Sequence, residues 1–121
     1  MEDIAFPEIL DQALAIAALI DSHSGMKTVV MGVSGQCSFA DYFVISTASS
    51  FTHLRGLTRH LEEYSEGNGL SALNRKKRQS DDDEWVLVDF GSIIVHLMSE
   101  AARDFYELEK LWFAGAIVYP A

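Results

Sequence analysis

WVLVDFGSIIVHLMSEAARDFYELEKLW, residues 85–112, reads as a strand, a tight turn, a second strand and an amphipathic helix. Trp85–Phe90 and Ile93–Met98 are rich in β-branched and aromatic residues, with Gly91-Ser92 between them. Glycine in the first loop position suits the two-residue type II′ turn of an antiparallel hairpin. That turn sets the register, so cross-strand pairs follow by counting outward. Phe90 with Ile93, Val88 with Val95 and Val86 with Leu97 form one face; Asp89 with Ile94, Leu87 with His96 and Trp85 with Met98 form the other. The first face is wholly apolar, and burying its six side chains contributes at most roughly 9–18 kcal/mol. It must pack on helices. The second mixes a Trp, a Met, an Asp and a His among aliphatics. Such a mixture suits a surface covered by a partner, where aromatics anchor and polar groups orient. It equally suits a second, partly polar core layer.

The rest of the chain supplies what that hairpin packs against. Pro7–Asp21 is expected to be a helix, with Pro7 in its first turn and Ser24-Gly25 ending it. Leu10, Leu14, Ala17 and Ala18 recur at helical spacing, widened by Ile9, Ile16, Leu19 and Ile20. So broad an apolar band fits either contact on two sides, sheet plus a second subunit, or tight packing within one domain. Thr28–Val33 and Asp41–Thr47 read as strands, the latter with Phe43 and Ile45 on one side and Tyr42, Val44 and Ser46 on the other. Ser49 or Ser50 caps a helix running to about Glu66, whose stripe is Leu54, Leu57, Leu61 and Tyr64. Leu70–Leu73 is a candidate strand, and Arg75–Glu84, lacking any apolar period, reads as a solvated loop. Ser99 is expected to cap the last helix, with Glu100 at its positive end and Ala101, Phe105, Leu108 and Trp112 on one face. Arg103 and Glu107 are spaced to pair across a turn. The tail Phe113–Ala121 is either an edge strand or a segment docked on a neighbour. This order predicts one α/β domain over 1–121, core about 7–112, with a mixed sheet and helices chiefly on one face.

Composition narrows the functional classes. With 121 residues, 49% hydrophobic and 22% charged, the chain fits a globular protein of one domain. No apolar run is long enough for a membrane span, and the acidic start Met1-Glu2-Asp3 is unlike a targeting segment. Cys37 is the single cysteine, so a reducing compartment and the cytoplasm are expected. The net charge is −9. Because Arg75–Arg78 and Asp81–Glu84 cancel locally, the excess negative charge lies on the rest of the chain. An acidic body argues against phosphate-driven binding of nucleic acid, direct DNA binding included, and favours a basic protein surface.

Chemistry is not indicated. Gly35, Ser38 and Asp41 invite comparison with nucleotidyl transfer, which needs two carboxylates two apart on a strand. Here the second position is Phe43. Asp89 is flanked at that spacing by Leu87 and Gly91, and Asp81–Glu84 falls in the expected loop. Cys37 reads more simply as a small buried side chain than as a nucleophile. His53 and His60 lie on one side of a helix, but no carboxylate–histidine signature supports a metal site. No enzyme activity, cofactor or metal is expected.

Three stretches carry a resemblance: ADYFVIST–ASS–HLRGL at Ala40–Leu57, WVLVDFGSIIVHL at Trp85–Leu97 and FYELEKLW at Phe105–Trp112. Together they resemble the ribosomal silencing factor family, RsfS, also called Iojap. The resemblance implies a nucleotidyltransferase-like fold without the catalytic carboxylates. It implies binding to the large ribosomal subunit, through its ribosomal protein fourteen at the subunit-joining face. Association with the small subunit would be blocked and translation repressed under starvation. Homodimers are common in the family. On that analogy Trp85 and Asp89 occupy motif positions at the partner surface. The expected partner-binding set is Trp85 and Met98 as apolar anchor, Asp89 as hydrogen-bond acceptor and His96 as orienting group. The chain departs from the family pattern at Thr52, at Ser92 and over Arg75–Glu84, and its tail beyond Trp112 runs past the usual end.

Overall fold

The computed structural model describes residues 5–34, 40–67, 74–77, 85–106 and 116–119. Its elements in chain order are α1 (Ala5–Ser22), β1 (Met26–Gly32), β2 (Tyr42–Ala48), α2 (Phe51–Gly67), β3 (Asn74–Lys77), β4 (Trp85–Asp89), β5 (Ile93–Ser99), α3 (Glu100–Tyr106) and β6 (Ala116–Tyr119). The strands form one sheet in the order β3-β4-β5-β2-β1-β6. The pair β2–β5 is parallel and the remaining pairs are antiparallel, so the sheet is mixed, as expected.

The hairpin register agrees with the count from the turn: Trp85 pairs with Met98, Val86 with Leu97, Leu87 with His96, Val88 with Val95 and Asp89 with Ile94. Gly91 has φ 95°, the left-handed geometry that the first position of a type II′ turn requires and that glycine adopts without strain. The backbone N–H of Phe90 donates to the Ile93 carbonyl at 2.9 Å, closing the turn.

Two apolar layers flank the sheet. On one face Val30, Val44, Val86, Val88, Ile93, Val95 and Leu97 meet Ala13, Ile16, Ala17 and Ile20 of α1 and Leu54, Leu57 and Leu61 of α2, with Phe90 packed against them. This is the layer that the apolar hairpin face predicts. The second layer joins Met31, Val33, Ala40, Phe43, Ile45, Ile94 and Met98 to Ala102 of α3. Two helices therefore cover one face and the short α3 covers part of the other.

Several expectations change. The buried side of α1 is Ala13, Ile16, Ala17 and Ile20, whereas Ala18 is exposed and Leu10 and Leu14 are half-buried, because the sheet meets the helix one position round from the predicted stripe. On α3, Ala101 faces solvent while Ala102 and Arg103 are buried. Arg103 Nη1 donates to Thr47 Oγ1 at 3.0 Å, a bond across to β2 that its spacing to Glu107 gave no sign of. Asn74–Lys77 is an edge strand rather than loop, since pairing with β4 satisfies its backbone whatever its hydropathy. The tail forms the opposite edge, with β6 paired to β1 and Tyr119 Oη donating to Asp21 Oδ2. The candidate strand Leu70–Leu73, the segment Arg78–Glu84, Gly35, Cys37, Ser38, Glu107, Leu108 and Trp112 lie outside the described residues, as does the side chain of Phe105.

The helix caps follow the sequence. Ser50, rather than Ser49, caps α2, accepting at Oγ from the His53 N–H at 3.0 Å. Ser99 Oγ accepts from the Ala102 N–H at 3.0 Å, and Glu100 sits in the first turn of α3.

Candidate partner-docking face

The four residues expected at a partner surface divide by strand. On β4, Trp85, Leu87 and Asp89 are all half-buried and lie at alternate positions, so they share one face. On β5, the paired residues are closed off: Ile94 is 5% exposed, His96 5% and Met98 0%. The expected anchor role of Met98 is therefore corrected, because Met98 belongs to the second core layer with Phe43, Ile45 and Ala102. Direct partner contact by His96 is corrected for the same reason. The cause is position in the sheet. β5 lies between β4 and β2 and runs beneath α3, whereas among the described residues β4 has only the short β3 outside it.

His96 nevertheless touches the open side. The Trp85 Nε1–H donates to His96 Nδ1 at 3.1 Å, with the ring centroids 5.8 Å apart. Phe43 meets the other side of the imidazole edge-on, at 4.8 Å between centroids and 65° between planes. An Nδ1 that accepts a hydrogen bond places the proton of a neutral imidazole on Nε2. Among the described residues that Nε2 has no hydrogen-bond partner. Burial disfavours the imidazolium and pushes the His96 pKa down to about 4.

Asp89 is partly committed to the turn, since its Oδ1 accepts from the Gly91 N–H at 2.8 Å. This bond ties the end of β4 to the glycine that reverses the chain. Trp85 and Leu87 pack by their inner edges on the second core layer. The open part of the face is thus an indole, an aliphatic and a carboxylate in a row, on a strand held rigid by its neighbours. Large rigid aromatics supply contact area at low entropic cost, and the carboxylate supplies direction.

The histidines considered as metal ligands serve elsewhere. His53 Nδ1 accepts from the Ser49 N–H at 2.9 Å, which leaves Nε2–H to donate to the His23 carbonyl at 2.9 Å. His53 thereby joins the start of α2 to the turn after α1. His60 stacks on His23 at 3.6 Å between centroids. Sequence reasoning missed the role of His53; the available signal was Ser49 four residues before it, next to a helix start. Among the described residues no cluster of His, Cys, Asp and Glu has the arrangement to hold a metal ion. Among them, too, no helix is long and apolar enough to cross a membrane.

Comparison with known proteins gives the geometry a family. The family described as "Ribosomal silencing factor during starvation" matches residues 7–118. The match reaches residue 118, within β6, so most of the tail lies inside the family's span, where the sequence had suggested that it runs past the usual end. A ribosomal silencing factor RsfS from Treponema pallidum is 39% identical over 100 residues, covering 83% of this chain and 88% of that protein. The mouse protein named "Mitochondrial assembly of ribosomal large subunit protein 1" is 35% identical over 98 residues, which cover 80% of this chain and 43% of that one. A crystal structure of a Chromobacterium violaceum protein shares the fold with a TM-score of 0.76 and 25% identity, over 88% of this chain and 85% of its own. With the motifs of the hairpin and of the segment around β2 set in one matching fold, the chain belongs to the ribosomal silencing factor family, RsfS.

Proposed function

We propose that this chain is a non-enzymatic regulator of translation that docks on the large ribosomal subunit and sterically blocks association with the small subunit. The contact is to ribosomal protein fourteen at the subunit-joining face, made through the β4 row Trp85, Leu87 and Asp89. The supporting observation is that row itself: three half-buried side chains side by side on a strand paired on both sides, in a family whose members carry the name of ribosomal silencing factors. The acidic body, with net charge −9, favours encounter with a basic ribosomal surface. The reading as a non-enzyme, in a nucleotidyltransferase-like frame, rests on Phe43 standing where a second carboxylate would be needed. Dimerisation and action in the cytoplasm belong to the same reading, from the family resemblance.

Truncating a tryptophan anchor costs at least about 2 kcal/mol, roughly thirtyfold in affinity. Trp85→Ala should therefore fail to co-sediment with purified large subunits at concentrations that saturate the unaltered protein, while its circular dichroism stays folded. Pelleting at unaltered affinity would reject the β4 face as the docking surface.

A further inference from the structure

His96 is costly to keep if folding is its only purpose. It sits at the centre of the sheet, 5% exposed, among Phe43, Ile45, Ile94 and Met98. A leucine or methionine there would fill the same space without an unpartnered polar atom, and unpartnered buried donors are rare. Among the described residues the only side-chain hydrogen bond of His96 is the one it receives from Trp85. The benefit of the imidazole therefore falls on the tryptophan.

Strand register explains why this pair can form. Trp85 lies opposite Met98 and His96 opposite Leu87, so Trp85 and His96 are diagonal neighbours on one face. Phe43 stands in the same diagonal relation to His96 across β2–β5, where Ile45 is the direct partner. Diagonal neighbours are within reach of aromatic side chains. Three rings on three adjacent strands thus form a row running from the closed core at Phe43, through His96, to the half-open Trp85.

We propose that His96 is the positioning residue of the docking face: its unprotonated Nδ1 holds the Trp85 indole in the pose that the partner meets. This rests on the reading of Trp85 as a docking anchor. Phe43 and the backbone of β5 fix the imidazole plane, the imidazole fixes the indole N–H, and the exposed part of the indole is thereby preset. Presetting removes the entropy that a half-exposed side chain would otherwise lose on binding. The proton belongs on Nε2, which points into the core, so the ring has one donor orientation and one acceptor orientation.

The test combines the unaltered protein with two substitutions, with Trp112→Phe introduced so that Trp85 is the single tryptophan reporter. In the unaltered protein, ¹⁵N NMR of the imidazole should show Nε2 protonated and Nδ1 bare at neutral pH; the opposite tautomer overturns the proposal without any variant needing to fold. His96→Leu keeps volume and removes the acceptor. It should shift the Trp85 Nε1–H resonance, raise quenching of Trp85 fluorescence by acrylamide and weaken co-sedimentation with purified large subunits roughly two- to tenfold. His96→Asn places an oxygen close to where Nδ1 stood and should restore all three readouts. If His96→Leu binds as tightly as the unaltered protein while Trp85→Ala does not, the positioning role is wrong and the docking face stands. If Trp85→Ala itself binds normally, the docking face is wrong and the positioning role falls with it.

Discussion

The two strands of the hairpin carry the same pattern of side chains but have different fates. β4 alternates between closed and half-open positions, whereas from Ile93 to Met98 every residue of β5 is buried on both faces. Each strand has apolar residues facing α1 and α2. On the opposite face α3 and β2 close over β5, and nothing among the described elements does the same for β4. Whether a polar-aromatic face becomes interior or surface is therefore decided by distance from the sheet edge, not by composition. The difference teaches that a binding row can be supported from beneath by a strand that itself never meets the partner.

Three measurements test that contrast. The largest effect is expected from Met98→Ala, since Met98 is 0% exposed on the same face as Leu87 and its loss leaves a cavity; denaturant unfolding should show a cost of about 2–5 kcal/mol. Leu87→Ala, on the half-open strand, should cost about 1 kcal/mol. Equal costs would mean that the two strands are equally enclosed. An intermediate effect is expected in acid. Folded His96 titrates at about 4 because burial opposes its charge, while the unfolded chain titrates at the ordinary value of 6.5. Between those values only the unfolded chain takes up the proton, so stability from this group is complete above about pH 6.5 and declines as pH falls to 4, by about 3 kcal/mol in all. Below 4 both states are charged and no more is lost. His96→Leu should remove this part of the acid dependence, seen as a smaller difference between unfolding curves at pH 7 and pH 4.5 than in the unaltered protein. An unchanged difference would mean that water reaches the β5 side of the face. The smallest effect is at the cap: Ser99→Ala should cost ~1 kcal/mol, and with α3 loosened the β5 residues beneath it should exchange their amide protons faster. Unaltered exchange would show that α3 is not what closes the face.

What could be read from the residues alone was local. The hairpin register followed from one glycine and strict alternation, and the stripe of α2 from leucines at helical spacing. The half-open row was identified as distinct from the core face, but its division between β4 and β5 was not, because closure depends on α3 and β2. The same holds for Arg103. Its spacing suggested Glu107, which lies outside the described residues, and gave no sign of the bond to Thr47, on a strand that sequence gives no reason to place beside it. β3 was hidden because edge strands tolerate charge and need no apolar period. His53 was weighed as a metal ligand because histidine spacing is visible in sequence, while its bonds to Ser49 and the His23 carbonyl depend on how α1 ends.

The single parallel pair at the middle of the sheet has a further consequence, for assembly in time. β1 with β2, and β4 with β5, are antiparallel neighbours in sequence and can form after short loop closures. β2 and β5 are separated by α2, β3 and β4, so their pairing from Tyr42–Ile93 to Ala48–Ser99 must wait for a long loop to close. Nonlocal pairing of this kind slows folding. The molecule is in that sense two ready-made ribbons joined along a late seam, on which His96 and Thr47 lie, with β6 added to β1 across a still longer loop. The aromatic row is completed only when the two ribbons meet, so a chain that has formed the hairpin alone has its tryptophan and its histidine but not yet the Phe43 ring that backs them.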